Sequence, residues 1–348
     1  MKKLITFFAT LLISLSAIFA LPGFEPQIKD MPGEYVYYQD ATFLHESYVG
    51  FLMYDEQTYA ARYYSPKNSK DSLPEKEVKI FFTIDPKSDY LKLTGEKVIC
   101  KDGVFGSQDT EIVNYLHDMI YELNARRIKA KENSSSTENF MQFGGNVTLE
   151  YNSLVPLFNL MSIYEEKTGK KVFFVATAGR LLSSQDTAFD DFKGFPKENL
   201  DEEHKNIKIK KSSTKKIQTQ DGITFDLDKN WTQKMENLFV YDDYAIIAFA
   251  PLPNEQLYFV NRQMLLSSGS SFLNWQTVKS SAWNANQKKC TVEGIFYDAE
   301  TSSVTKSIKI VTPTENGYSF FSLTTFLSIY EKNKKYFDAI IKSYGTNN

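Results

Sequence analysis

The sequence predicts an α+β chain made of two tandem, divergent copies of an antiparallel sheet covered by amphipathic helices. Three observations carry that expectation. The stretch Gly50-Phe51-Leu52-Met53-Tyr54-Asp55-Glu56 and its continuation to Pro66 resemble Asn237-Leu238-Phe239-Val240-Tyr241-Asp242-Asp243 and its continuation to Pro251. In the same order, Leu160-Met161-Ser162-Ile163-Tyr164-Glu165 resembles Phe326-Leu327-Ser328-Ile329-Tyr330-Glu331. Ordered internal matches point to duplication. The third observation is a closing helix whose apolar stripe, Phe326, Leu327, Tyr330, Phe337, Ile340, Ile341 and Tyr344, opposes Lys332, Asn333, Lys335, Asp338 and Lys342. Such a helix covers one face of a sheet.

Residues 1–20 read as a secretory signal peptide: Lys2 and Lys3, an apolar run from Leu4 to Phe19, and Ala20 before Leu21-Pro22. The run is at the short end for a span, which needs roughly 20 apolar residues, so the expected mature chain has no transmembrane segment. Residues 21–32, with Pro22, Pro26 and Pro32, form an extended leader. The chain carries 40 basic and 43 acidic residues, and a net charge of −3 excludes a general nucleic-acid binder, which needs a strongly basic face. An oxidising compartment permits a disulfide between Cys100 and Cys290, the two cysteines. Two separate buried thiols are the other reading.

The first repeat domain spans 33–182. Glu34 to Leu44 opens it, and Val49–Tyr54 with Tyr59–Tyr64 forms a hairpin. Its turn, Asp55 to Thr58, is longer than Asp242-Asp243 in the second copy, so the mismatch falls in a loop. Val78–Ile84 and Leu91–Ile99 are β-branched and aromatic strands. Ile112, Leu116, Met119, Ile120 and Leu123 set a helix from about Asp109 to Lys129. Lys131–Glu138 reads as a surface loop. Phe140–Phe143 and Val147–Tyr151 read as strands about Gly144-Gly145-Asn146. Leu154–Lys167 reads as a short apolar helix stopped by Gly169. Lys171–Thr177 is a further strand.

Residues 183–216 read as a charged linker, acid-rich to Glu203 and lysine-rich beyond, with Asn206–Lys210 as a short edge strand. The second repeat domain spans 217–348. It opens with Gly222–Leu227 and Asn230-Trp231. The repeated hairpin follows, then a strand at Gln256–Val260 and a helix near Phe272–Trp283. Cys290–Tyr297, Ser303–Val311 and Tyr318–Leu323 are strands, and the amphipathic helix ends the chain.

That element order resembles the PsbP-like α+β fold, named for an accessory protein of the photosynthetic oxygen-evolving complex. The resemblance covers residues 221–344. It is carried by Asn230-Trp231 and the terminal Ile340-Ile341-Lys342-Ser343-Tyr344. It implies an exported accessory or binding protein, and it transfers no site residue.

No chemical motif identifies catalytic, cofactor-binding or metal-ligating residues, and no cofactor is expected. His45, His117 and His204 fall at no zinc-ligand spacing. No Gly-x-Ser-x-Gly elbow occurs. Gly103–Gly106 and Gly144-Gly145 lack the setting of a phosphate loop. Asp55-Glu56 and Asp242-Asp243 offer too few oxygens for calcium and suit turns instead. Aromatics make up 15% of the chain; half-buried, tyrosine-rich strands explain most of them, and a minority are left for an exposed ring stack. A ligand or partner surface is therefore expected among Tyr35, Tyr37, Tyr63, Tyr64, Trp275 and Trp283. The resulting expectation is a non-catalytic binding or accessory protein of the bacterial envelope, periplasmic, secreted or outer-membrane associated, with an envelope protein or glycan as partner. A glycan-directed envelope hydrolase using acidic residues, or a peripheral membrane protein, is the alternative.

Overall fold

In the computed structural model, the alternation read from the sequence becomes two wide antiparallel sheets. The described residues are 30–43, 45–68, 73–83, 94–100, 107–127, 134–152, 154–196, 204–252, 265–266, 271–280, 290–314 and 317–345. The expected signal peptide, most of the leader and the strand at Gln256–Val260 lie outside them. The described chain clusters into two units. The first is Ile28–Phe195 with Leu265–Gln276, and the second is Pro196–Met264 with Thr277–Asn348.

In the first unit the strands are β1 (Glu34–Asp40), β2 (Tyr48–Met53), β3 (Thr58–Ser65), β4 (Lys76–Thr83), β5 (Thr94–Cys100), β6 (Ser135–Phe140), β7 (Gly145–Tyr151), β8 (Leu160–Glu165) and β9 (Lys171–Arg180). They form one nine-stranded sheet in the order β5-β4-β3-β2-β1-β9-β8-β7-β6. One meander runs outward from β1, the other runs inward to β9, and β1 and β9 join them antiparallel. Helix α1 (Ser107–Arg127) lies against β3 and β4. Its Leu116, Met119, Ile120 and Leu123 are buried, as the three- and four-residue spacing requires. Lys76 on β4 pairs with Asp109 at the helix start. Val78 and Ile80 share that face of β4, so Glu77, Lys79 and Phe81 point to the other.

The second unit holds a two-stranded ribbon, β10 (Thr214–Gln218) and β11 (Thr224–Asp228), and a seven-stranded sheet. That sheet comprises β12 (Thr232–Met235), β13 (Leu238–Tyr241), β14 (Ala245–Leu252), β15 (Ser271–Ser280), β16 (Cys290–Asp298), β17 (Ser303–Thr314) and β18 (Gly317–Phe326); residues 271–276 of β15 fall in the first unit. Its order is β12-β13-β14-β18-β17-β16-β15. Helices α2 (Ala188–Asp191) in the first unit and α3 (Leu327–Lys332) and α4 (Lys334–Ser343) in the second complete the described elements used below. The main core of the second unit joins Phe225, Trp231, Phe239, Ile247, Phe321 and Leu323 to Ile329, Phe337 and Ile340 of α3 and α4. Of the expected stripe, Tyr330, Phe337, Ile340 and Tyr344 are buried, while Phe326 (the end of β18), Leu327 and Ile341 are only partly so, and Asn333, expected on the polar face, is buried. Asn333 divides the stripe into two helices: its N–H donates to the Ile329 carbonyl at 3.0 Å. Its amide side chain accepts from Ile209 N–H at 2.9 Å and donates to the Ile207 carbonyl at 3.1 Å.

Several expectations change. The two sheets are not one topology repeated. The last strand of the first sheet, β9, pairs with its opening strand β1, whereas β18 pairs with β14, which closes a hairpin. The matched hairpins exist, β2–β3 and β13–β14, but occupy different places. Alternating apolar residues around an acidic turn are a local device that serves any antiparallel hairpin. The second matched pair separates further. Leu160–Glu165 is strand β8, not helix, and Leu327–Lys332 is helix. Gly169, at φ 65°, turns β8 into β9 rather than ending a helix. Ser271–Ser280 is a strand where a helix was expected. Ser135–Glu138 is edge strand rather than loop, because its alternating half-burial pairs it with β7.

The expected 183–216 linker also divides. Residues 182–195 belong to the first unit, with Phe189 and Phe192 buried. Asn206–Lys210 is not a strand; Asn333 holds it, and the edge ribbon begins at Thr214. At the hairpin turn, the Asp55 carboxylate accepts from Gln57 N–H at 2.9 Å and Thr58 N–H at 2.7 Å. These bonds, the Gln57 one foremost, hold the acid below its ordinary value and make it a turn residue.

Candidate functional site

One row of paired positions crosses the first sheet: Thr177 on β9, Tyr37 on β1, Gly50 on β2, Arg62 on β3 and Lys79 on β4. Directly paired residues share a face, and this face is the one opposite α1. Gly50 has a steric role there. A β-carbon on it would sit 2.2 Å from the ring of Tyr37. Without it, the Tyr37 ring crosses β2 and its hydroxyl accepts a hydrogen bond from Arg62 Nη1 at 2.8 Å.

Arg62 is fully buried. Its Nε donates to Glu77 Oε1 at 2.8 Å. Its Nη1 also donates to the carbonyls of Phe192 at 2.8 Å and Phe189 at 3.3 Å. Nη2 has no hydrogen-bond partner among the described residues. The guanidinium carbon stands 5.0 Å from the centre of the Tyr64 ring. Burial alone would push this group down, but Tyr37 and Glu77 beside it hold it above its ordinary value. Arg62 is therefore a permanent cation inside the fold. Burial pushes the Tyr37 hydroxyl up, with Arg62 opposing.

Lys79 continues the row. Its ammonium bonds Asp190 Oδ1 at 2.7 Å and the Tyr54 hydroxyl at 3.2 Å. It faces the rings of Phe81 at 4.9 Å, Phe189 at 5.4 Å and Tyr54 at 5.8 Å. All three ring faces lie within cation–π range of the ammonium.

The roof over both cations is a single segment, residues 186–195. Asp186 caps it, accepting from Ala188 N–H at 3.0 Å. Asp191 Oδ2 accepts from the Thr187 hydroxyl at 2.6 Å. Phe192 packs on Tyr37, with ring centres 4.6 Å apart, and on Tyr48 at 5.2 Å. Phe189 packs on Tyr37 at 5.0 Å. At its far end Gly194 has φ 81° and approaches Tyr48 so closely that a β-carbon would meet that ring at 2.8 Å. The arrangement presents two cations and several ring faces to a peptide segment carrying carbonyls and a carboxylate.

A second polar cluster lies on the opposite face. Asp40 Oδ1 accepts from Thr42 N–H at 2.8 Å and the Thr42 hydroxyl at 2.5 Å, and Oδ2 accepts from the Tyr115 hydroxyl. His45 Nε2 lies 3.2 Å from the Tyr63 hydroxyl. Burial pushes Tyr63 up to about 12. Both Asp40 oxygens are engaged, so this cluster fastens the corner between β1 and β2. In the second unit, Thr219, Asp221, Glu236, Asn237 and Phe249 line a cleft of about 120 Å³, smaller than the roughly 300 Å³ at which ligand pockets begin.

The expected exposed aromatic surface is corrected. Tyr35, Tyr37, Tyr63, Tyr64 and Trp275 are all buried, none more than 8% exposed. The first sheet is covered on both faces, so alternate tyrosines pointing either way find a core. Trp283 lies outside the described residues. Cys290 is buried, and burial pushes its thiol up to about 12. The Cys100 side chain lies outside the described residues. Sequence reasoning brought Tyr37 and Tyr64 to the site but missed Arg62 and Lys79. The available signal was a cation at an inward position of each of two aromatic strands, opposite a glycine in the first case.

Residues 33–190 match the family model of a domain of unknown function, DUF7954, and residues 214–345 that of another, DUF7955. No curated protein matches. Among solved structures the chain is similar to the solution structure of cyanobacterial PsbP (CyanoP) from Synechocystis sp. PCC 6803. Identity is 13%, over 40% of this chain and 94% of that chain, with a TM-score of 0.26. Among the described residues, no helix is long and apolar enough to cross a membrane.

Proposed function

We propose that this chain is an exported binding or accessory protein of the bacterial cell envelope, and that the cationic row of its first unit is the contact site. One observation carries the reading. Arg62 and Lys79 stand side by side on a desolvated sheet face, and besides Glu77, Tyr37 and Tyr54 they are answered by two carbonyls and a carboxylate of one polypeptide segment. Charge-assisted bonds in such a site are stronger than in water. A face built this way recognises peptide, and recognition needs no reacting group. Export is supported by Lys2, Lys3 and the apolar run to Phe19.

The test is fractionation of the full chain expressed in a Gram-negative host. Osmotic shock releases the product with the periplasmic contents, and intact-mass measurement shows an N-terminus shortened by about the length of a signal peptide. A full-length product that stays in the cytoplasm overturns export. Release of reducing ends from purified cell-wall glycan by the mature protein overturns the non-catalytic reading.

A further inference from the structure

The segment 186–195 behaves as a ligand more than as a structural element. Its only regular piece is α2, four residues long. It reaches the sheet through Phe189, Phe192, the two carbonyls on Arg62 and the single carboxylate on Lys79. Its other carboxylates turn inward to its own chain: Asp186 caps Ala188 and Asp191 takes the Thr187 hydroxyl.

The receiving face is incompletely answered by this roof. Arg62 is fully buried, yet its Nη2 has no partner among the described residues. Thr177, in the same row and also fully buried, has its hydroxyl without a partner among them. A buried guanidinium is costly unless its fork is filled, and replacing a buried ion pair by apolar residues is often neutral or stabilising. A carboxylate matches that fork through two parallel bonds. Glu77 Oε1 already takes Arg62 Nε, and the roof adds only carbonyls, both on Nη1, so Nη2 stays open among the described residues. A peptide that brings a carboxylate to Arg62, while keeping aromatic side chains at the Phe189 and Phe192 positions, satisfies the face better than the chain's own segment does.

We infer that the face under residues 186–195 is a peptide-recognition groove filled by the chain's own segment, and that its functional occupant is an acidic, aromatic-flanked peptide of a partner protein. This rests on the binding reading above. The apparent affinity for the partner is set by how often the resident segment is displaced, because occupancy by the segment lowers affinity by the fraction of open molecules. Loosening the segment therefore raises affinity, and this separates a displaceable roof from a permanent one.

The experiment uses the full mature chain and a fluorescein-labelled peptide of residues 186–195, Asp-Thr-Ala-Phe-Asp-Asp-Phe-Lys-Gly-Phe, read by fluorescence anisotropy. Gly194→Ala loosens the resident segment, because its β-carbon meets Tyr48 and the position has positive φ. This variant binds the peptide about ten-fold more tightly than the unaltered chain. Adding Lys79→Ala returns the affinity to the weaker level, and a scrambled peptide does not bind. Asp190→Ala, which removes the exposed end of the Lys79 pair, serves as the second loosening variant if Gly194→Ala does not fold. A folded loosened variant that fails to bind the peptide overturns the inference. So does a loosened variant that sediments as a dimer and excludes the peptide, since the occupant is then a second copy of this chain. The fractionation result is independent of both, so export and recognition fail separately.

Discussion

The ring of Tyr37 occupies the space that a β-carbon on Gly50 would need, with three ring atoms within 2.7 Å of that position. The ring cannot step aside. Its hydroxyl donates to the Phe189 carbonyl at 2.7 Å and accepts from Arg62, and Phe189 and Phe192 close over it. Gly50→Ala is therefore expected to lose about 3 kcal/mol, the upper part of the range for overpacking a core. Urea denaturation measures it. In a Tyr37→Ala background the same change should cost little, because the two positions share one space. Equal losses in both backgrounds would remove the steric account.

Asp40 gives a pH signature. Burial, opposed by bonds from Thr42 and Tyr115, raises its carboxyl above the ordinary 3.8. An acid raised on folding binds its proton more tightly in the folded state, so its contribution is greatest below the unfolded value and is lost as pH rises through the folded value. Asp40→Asn removes that penalty. The melting temperature of the variant minus that of the unaltered chain should be more positive at pH 7 than at pH 4. The opposite slope would mean that Thr42 and Tyr115 outweigh burial.

Trp231 and Tyr336 tie the ribbon end to α4 in the second unit. The indole N–H donates to the Tyr336 hydroxyl at 2.8 Å, and both residues are buried. Tyr336→Phe keeps the ring and leaves that N–H without an acceptor. The expected loss is about 1–3 kcal/mol, the cost of an unanswered buried donor. Thermal unfolding followed by tryptophan fluorescence reports it, and an unchanged midpoint would show that another acceptor takes over.

The parts of this fold legible in the sequence are those whose pairing is local. β2–β3 and β13–β14 were readable because an alternating strand, an acidic turn and a second strand follow one another directly. Leu160–Glu165 was not, because six mostly apolar residues fit helix or strand equally. Ser-Ile-Tyr-Glu is strand in β8, where β7 and β9 flank it, and helix in α3, where it leaves the sheet. The site was half legible for a related reason. Tyr37 and Tyr64 stood out as aromatic, but their burial depends on residues 186–195, a charged stretch that reads as linker. Only packing reveals that Phe189 and Phe192 in that stretch close a core, and that Arg62 and Lys79 lie under it.

Lys309 carries the last prediction. It lies in the middle of β17, between Val292 and Ser322 in register, with its ammonium 4.9 Å from the centre of the Phe296 ring. Burial pushes it down from 10.5 to about 8. Between those values the unfolded chain holds the proton and the folded chain has released it, so stability rises with pH across that window. Below it the folded state carries a buried charge at a cost on the order of 3 kcal/mol. Lys309→Met fills similar volume without that charge. The stability of the unaltered chain minus that of the variant should therefore climb between pH 7.5 and pH 10, by up to about 3 kcal/mol. Taking the difference cancels tyrosine and other lysine titrations common to both proteins. A difference that stays flat would show that the amine keeps its ordinary affinity for the proton, and that burial on this face is compensated by a charge partner.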